Sequence, residues 1–216
     1  VLIYKSLIMY KIAIIITLMF SQILSAQSTY ETGMNKAFEL WKSGQPDEAS
    51  NLFERIATAE SDNWLPSYYA AQVLILDSFT KLKDKQALEA QLKKAQTFLD
   101  DAVSRSKDNP ENMVLQAMLH TAYVASDGAS YGMSLSPKIN ALYAKAAQLA
   151  PNNPRVMLCK AEWDMGSAKY FGQDTKPFCE QIEKSLQLFA NFKPETTFDP
   201  NWGKERAEQL TAQCKA

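Results

Sequence analysis

An all-α fold is predicted by three observations. Only 7 Gly and 9 Pro stand among the 216 residues, too few for a chain of many tight β-turns. Ala, Leu, Lys, Glu and Gln recur in long unbroken runs that suit helices. Finally, SDNW (Ser61–Trp64), KDNP (Lys107–Pro110) and PNNP (Pro151–Pro154) each read as the end of one helix and the start of the next. An Asp or Asn oxygen caps the incoming helix, and proline suits the first turn, where no N–H is needed. With 46% hydrophobic and 22% charged residues, the chain has the composition of one substantial globular domain, not a disordered tail.

The elements follow in order. Residues 1–26 carry Lys5 and Lys11 as their only charges, an apolar core from Ile12 to Phe20, and then SQILSA. This is the layout of a secretory signal peptide, with a cut expected after Ala26 or, failing that, after Ser28. The apolar run falls short of the roughly 20 residues that span a bilayer. MYK at Met9 reads as a more usual beginning than Val1.

Nine helices are expected after it. The first two, about 31–43 and 46–60, are separated by Gly44, Gln45 and Pro46, and the second has an apolar stripe of Ala49, Leu52, Phe53 and Ile56. Next come about 64–80 after SDNW and about 84–105, whose mixed charges from Lys81 to Lys94 read as a solvated face. About 110–126 follows KDNP, about 136–149 follows a linker at Asp127–Pro137, and about 154–168 follows PNNP. About 176–191 bears the stripe Cys179, Ile182, Leu186 and Phe189. The last, about 201–214, is capped by Asn201 or Asp199, with Trp202 as a wedge onto the previous unit.

Set in register on SDNW, KDNP and PNNP, a small or aliphatic, large, small or aliphatic triplet recurs: Ala49, Phe53, Ile56; Ala95, Leu99, Ala102; Ile139, Tyr143, Ala146; and Ile182, Leu186, Phe189 before Pro194. Ala71, Ala117 and Ala161 match one another on the other side of the turn. These residues resemble the tetratricopeptide repeat, a helix-turn-helix unit of 34 residues with small residues where its helices cross. Tyr30–Asn63 has the family length, with Ala37 and Ala49 in its small-residue positions; the later units are longer. The resemblance implies a right-handed helical-hairpin solenoid with units at about 30–63, 64–109, 110–153 and 154–196 and a C-terminal capping helix at 201–214. It also implies a groove for a protein or peptide partner, whose positions by register are Met34, Phe38, Trp41, Tyr68, Gln72, Met118, Arg155 and Glu162. Packing between helices is the plainer reading for the apolar ones.

Removing residues 1–26 moves the formal net charge from −1 to −3, against nucleic acid as partner, since phosphate neutralisation needs clustered cations. Asp127–Pro137 lacks the Lys and Ser/Thr that end a phosphate loop. This linker and Lys169–Asp174 are expected along one edge, with Tyr131, Tyr170 and Phe171 as recognition aromatics. In an exporting context, Cys179 with Cys214 is a candidate disulfide, on neighbouring helices of the repeat; Cys159 with Cys179, or three buried thiols, are the alternatives. No spacing suggests a metal or redox site, so no cofactor is expected. His120, the lone histidine, and Asp164 fall at one level of adjacent helices, where a carboxylate could orient an imidazole. The expected function is therefore an exported, periplasmic or secreted binding or scaffolding module without catalysis. A small-ligand binder or enzyme built on the His120 and Asp164 seam is the competing class. An accessory protein of an envelope complex is a third.

Overall fold

In a computed structural model, residues 28–215 are described. The segment expected to be a signal peptide, 1–26, lies outside the described residues. Nine helices make up the rest: α1 (28–42), α2 (Pro46–Ala59), α3 (Leu65–Ser78), α4 (Lys85–Arg105), α5 (Pro110–Ser126), α6 (Gly128–Leu149), α7 (Pro154–Tyr170), α8 (Lys176–Asn191) and α9 (Lys204–Lys215). The chain is all-α, a stack of helical hairpins. α3 pairs with α4, α5 with α6 and α7 with α8; α3, α5 and α7 also touch in a row, and α9 closes the end against α8.

The turns work as the caps require. The Asn109 side chain accepts from the Glu111 N–H at 2.9 Å and Asn153 from Arg155 at 2.9 Å, each followed by a proline at the first helical position. Asn63 accepts from the Leu65 N–H at 3.0 Å. At the far end of α2, Arg105 donates one guanidinium nitrogen to the carbonyls of Ala57 and Glu60, each at 3.0 Å. Carbonyls left over at a helix end are thereby tied to the next hairpin. The small residues of the register are fully buried: Ala37, Ala49, Ala71, Ala95, Ala117 and Ala161, with Ile139 and Ile182 in the last two units. Close approach of paired helices there leaves no space for water.

Two expectations are corrected. Asp127–Pro137 is not a linker: Asp127 caps α6 by accepting from the Ser130 N–H at 3.1 Å, and the helix runs through Gly128, Gly132 and Pro137 to Leu149. Pro137 leaves the Met133 carbonyl without its intrahelical donor; the break is tolerated on a stretch whose Met133 side chain is 93% exposed. The longer unit is therefore a longer helix, and its first half has no edge loop to share with Lys169–Asp174. The final helix also starts later than expected, at Lys204. Asp199 instead accepts from the Thr196 N–H at 2.8 Å, and the chain enters α9 through Gly203 at φ +104, where a Cβ would stand 2.9 Å from the Phe189 ring.

The stretch 192–203 between α8 and α9 returns along the row of α1, α3 and α7. Phe198 is buried in the first hydrophobic core with Tyr30, Phe38 and Tyr69, and its carbonyl accepts from the Tyr69 hydroxyl at 2.8 Å. Its ring meets Tyr30 edge-on at 5.4 Å and stacks on Phe38 at 6.2 Å. Trp202 packs on both the first core and the one formed by α5, α6 and α7, and its indole N–H donates to the Tyr68 hydroxyl at 2.8 Å. Cys179 and Cys214 form a disulfide, which fastens α9 to α8 around this returning stretch.

Candidate functional site

Seven of the eight groove positions pack wholly or partly into the cores, and Glu162 stays partly exposed. Met34, Tyr68, Gln72 and Arg155 are buried, and Phe38, Trp41 and Met118 pack partly buried on the cores. Glu162 pairs with Arg206 of α9. Arg155 is held at 1% exposure: its Nε donates to both Glu111 carboxylate oxygens at 3.0 and 2.9 Å and its Nη2 to one of them at 2.7 Å, with the Phe192 ring 4.4 Å from the guanidinium carbon. Asn153 donates to the same carboxylate at 2.6 Å. Such a pair keeps its charge out of water through two-pronged hydrogen bonding. Burial, with the Glu111 carboxylate nearby, pushes the Tyr68 phenol well above its ordinary range, so Tyr68 is a neutral acceptor for Trp202. This region is a polar core under a strap, not an open peptide groove.

His120 and Asp164 go to different partners. Asp164 forms an ion pair with Lys160 on its own helix. The face of α5 that carries His120 turns toward α4: Gln116, one turn earlier, exchanges hydrogen bonds with Gln96 at 2.8 Å and stands 3.4 Å from His120 Nε2. The register alone aligned His120 with Asp164; the side chain follows the α4 side of its helix.

His120 lines an open cleft of about 440 Å³ between three helices. α4 contributes Glu89, Lys93 and Gln96, α5 contributes Leu119, His120 and Tyr123, and α6 contributes Tyr131, Ser134 and Leu135. Its volume lies within the range of small-molecule sites. One wall is polar and two are largely apolar or aromatic, with Tyr123 and Tyr131 at 5.1 Å and a tilt of 53°. The outer wall is the first half of α6, since the buried residues of that helix, Ile139, Tyr143 and Ala146, all fall in its second half. Lys85 anchors the start of that wall through Asp127 at 2.7 Å, and this partner, with the Ser130 N–H, holds the Asp127 carboxyl down to about 2.

Burial, and then the charge of Lys138, hold the His120 imidazole below its ordinary value, so it is neutral at pH 7. Its Nδ1 is buried with no hydrogen-bond partner in the protein. A neutral imidazole beside aromatic rings can coordinate a metal-centred ligand or hydrogen-bond a flat organic one. Among the described residues no cluster of three His, Cys, Asp or Glu side chains could hold a bare metal ion, and no helix is long and apolar enough to cross a membrane. A second hollow, of about 420 Å³, is lined by the α2–α3 turn from Ala59 to Trp64 and brings no separate elements together. Cys159 is a free buried thiol, pushed up by burial and the nearby Glu162, and therefore unreactive. Tyr170 and Phe171 stand exposed at the end of α7, their rings 5.1 Å apart.

The cleft is hidden in the sequence because Gly128, Gly132 and Pro137 give its outer wall the composition of a linker. Tyr131 is expected along an edge; the helical path through Gly132 and Pro137 turns it toward Tyr123 instead.

No family model matches the chain, and no curated protein does. Among solved structures it is similar to the HusA haemophore from Porphyromonas gingivalis, at 24% identity and a TM-score of 0.74, over 86% of this chain and 92% of that one. At that identity the likeness is one of fold.

Proposed function

We propose that this is an exported binding protein, not an enzyme, and that it carries haem or a closely related flat tetrapyrrole in the cleft between α4, α5 and α6. The observation that carries the reading is His120: a neutral, half-buried imidazole with an unpartnered Nδ1, in a cleft walled by Leu119, Tyr123, Tyr131 and Leu135. That combination suits a flat aromatic ligand; a metal at its centre would take the imidazole only after the ring turns, since Nδ1 is shut off from the cleft and Nε2 faces Gln116. The fold shared with a haemophore points to the same class. Export agrees with the Cys179–Cys214 bridge, which persists in oxidising compartments, and with the leader expected at 1–26. The hairpins are tetratricopeptide-like units in which α6 has lengthened to wall the cleft.

The test is a haemin titration of the oxidised protein, followed at the Soret band. Saturable binding with a band shift is expected, and His120→Ala should remove the shift and weaken binding about tenfold or more. Haemin uptake no stronger than that of an unrelated helical protein would overturn the reading. Uptake untouched by both His120→Ala and Tyr123→Ala would move the ligand out of this cleft.

A protein partner remains the second reading, favoured by the exposed Tyr170 and Phe171 pair. Of the expected groove positions, Phe38, Tyr68 and Arg155 lie against 192–203, so a partner would use the Tyr170 edge, where Tyr170→Ser with Phe171→Ser would abolish its capture.

A further inference from the structure

The helix α6 changes character at Pro137. None of residues 128–138 is buried, whereas Ile139, Tyr143 and Ala146 sit in the core formed by α5, α6 and α7. Pro137 has no N–H for the Met133 carbonyl, so the hydrogen-bond ladder is broken close to where burial begins. Gly128 and Gly132 lie in the unburied half, and a Cβ added at either would meet nothing within 4 Å. Close packing therefore requires neither glycine, and both weaken the helix. This half is tied to the rest by the Lys85–Asp127 ion pair at 2.7 Å and by the Tyr131 ring against Tyr123. The Lys85 side chain is 71% exposed, and an ion pair so open to water contributes little and parts readily.

We propose that residues 128–136 are a movable wall of the cleft, hinged at Pro137 and latched by Lys85 and Asp127, which swings out to admit the ligand and returns to cover it. This rests on the reading of the cleft as the haem-class site and states how the ligand enters. The wall carries Tyr131, Ser134 and Leu135, so its movement widens the cleft. The other two walls stay in place, because α4 and α5 carry buried residues along their length. A ligand that ends up largely enclosed needs such a step, since a rigid cleft open enough for entry would leave one of its faces in water. Helices bend at proline and at small residues, and a hinge is a few positions that absorb the change.

Two measurements on the whole oxidised protein test this, with helical content checked for every variant. Hydrogen exchange without ligand should show the amides of 131–136 opening as one group, about tenfold or more faster than those of 143–149, with a step at Pro137. Equal protection on both sides of Pro137 overturns the proposal, as does a smooth gradient running from Asp127, the pattern of a frayed helix end. Stopped-flow haemin binding should show both rates moving together. Lys85→Met should raise association and dissociation alike, by about twofold to fivefold, and Gly132→Ala with Pro137→Ala should lower both. A wall that only adds contacts would change dissociation alone; that result, or rates unmoved in both variants, overturns the gate and leaves the haem-class reading intact. If haemin does not bind, that reading fails, and the exchange pattern of the empty protein still decides the hinge.

Discussion

Replacing Arg155 by leucine strands the Glu111 carboxylate in a buried site with only Asn153 left to it. We expect a loss of about 3 to 5 kcal/mol in urea unfolding, because an unpaired buried charge costs more than the pair contributes. Removing both charges, Arg155→Leu with Glu111→Leu, should recover most of that loss. His120 gives a pH signature of its own. Its folded value lies below the unfolded one, near 6.5, so between the two the unfolded chain binds more protons. Stability is full above pH 6.5, falls as pH falls through that window, and levels off once the folded imidazole is charged. The charges facing it are Lys93 and Glu89 from α4 and Lys138 from α6, with the Tyr123 and Tyr131 phenols beside it. Urea midpoints measured across pH 5 to 8 should therefore differ in slope between the protein and His120→Gln, with the same sign in haemin affinity.

At the scale of helices, the disulfide and the long α6 behave differently. The Cys179–Cys214 bridge closes a loop of 35 positions, so Cys179→Ser should lower stability by about 2 to 4 kcal/mol, read from unfolding with and without reductant. The helix pattern was readable from the sequence where local chemistry decides: the caps at Asn63, Asn109 and Asn153, and the small residues Ala49 and Ala95 whose spacing sets how closely helices pair. It is not readable at Asp127–Pro137, where two glycines and a proline have the composition of a connection. Propensity argued against helix there, but the Asp127 cap and the packing of Tyr131 on Tyr123 outweigh it. The cleft depends on that outcome, so the site was less legible than the fold.

For the whole molecule, the decisive contacts are those of 192–203. Trp202 could be read as a wedge onto a neighbouring unit, but nothing local says that Phe198 reaches Tyr69, 129 positions earlier. Stacks of hairpins normally touch only their neighbours, so their stability is close to a sum of local parts and their ends can fray separately. Here the last segment also holds the first hairpin. Denaturant unfolding should be a single transition, and Phe198→Ala should cost about 3 kcal/mol or more and let α1 and α2 open ahead of the rest, seen as earlier hydrogen exchange in those helices.

The strap also sets an order of assembly. A chain made from its N-terminus tends to fold its domains as they emerge, yet Tyr30, Phe38 and Tyr69 receive their last aromatic neighbour only when residues 198 to 202 have been synthesised. Until then the first hairpin is an unfinished surface of rings, and its packing is complete only when the final turns arrive.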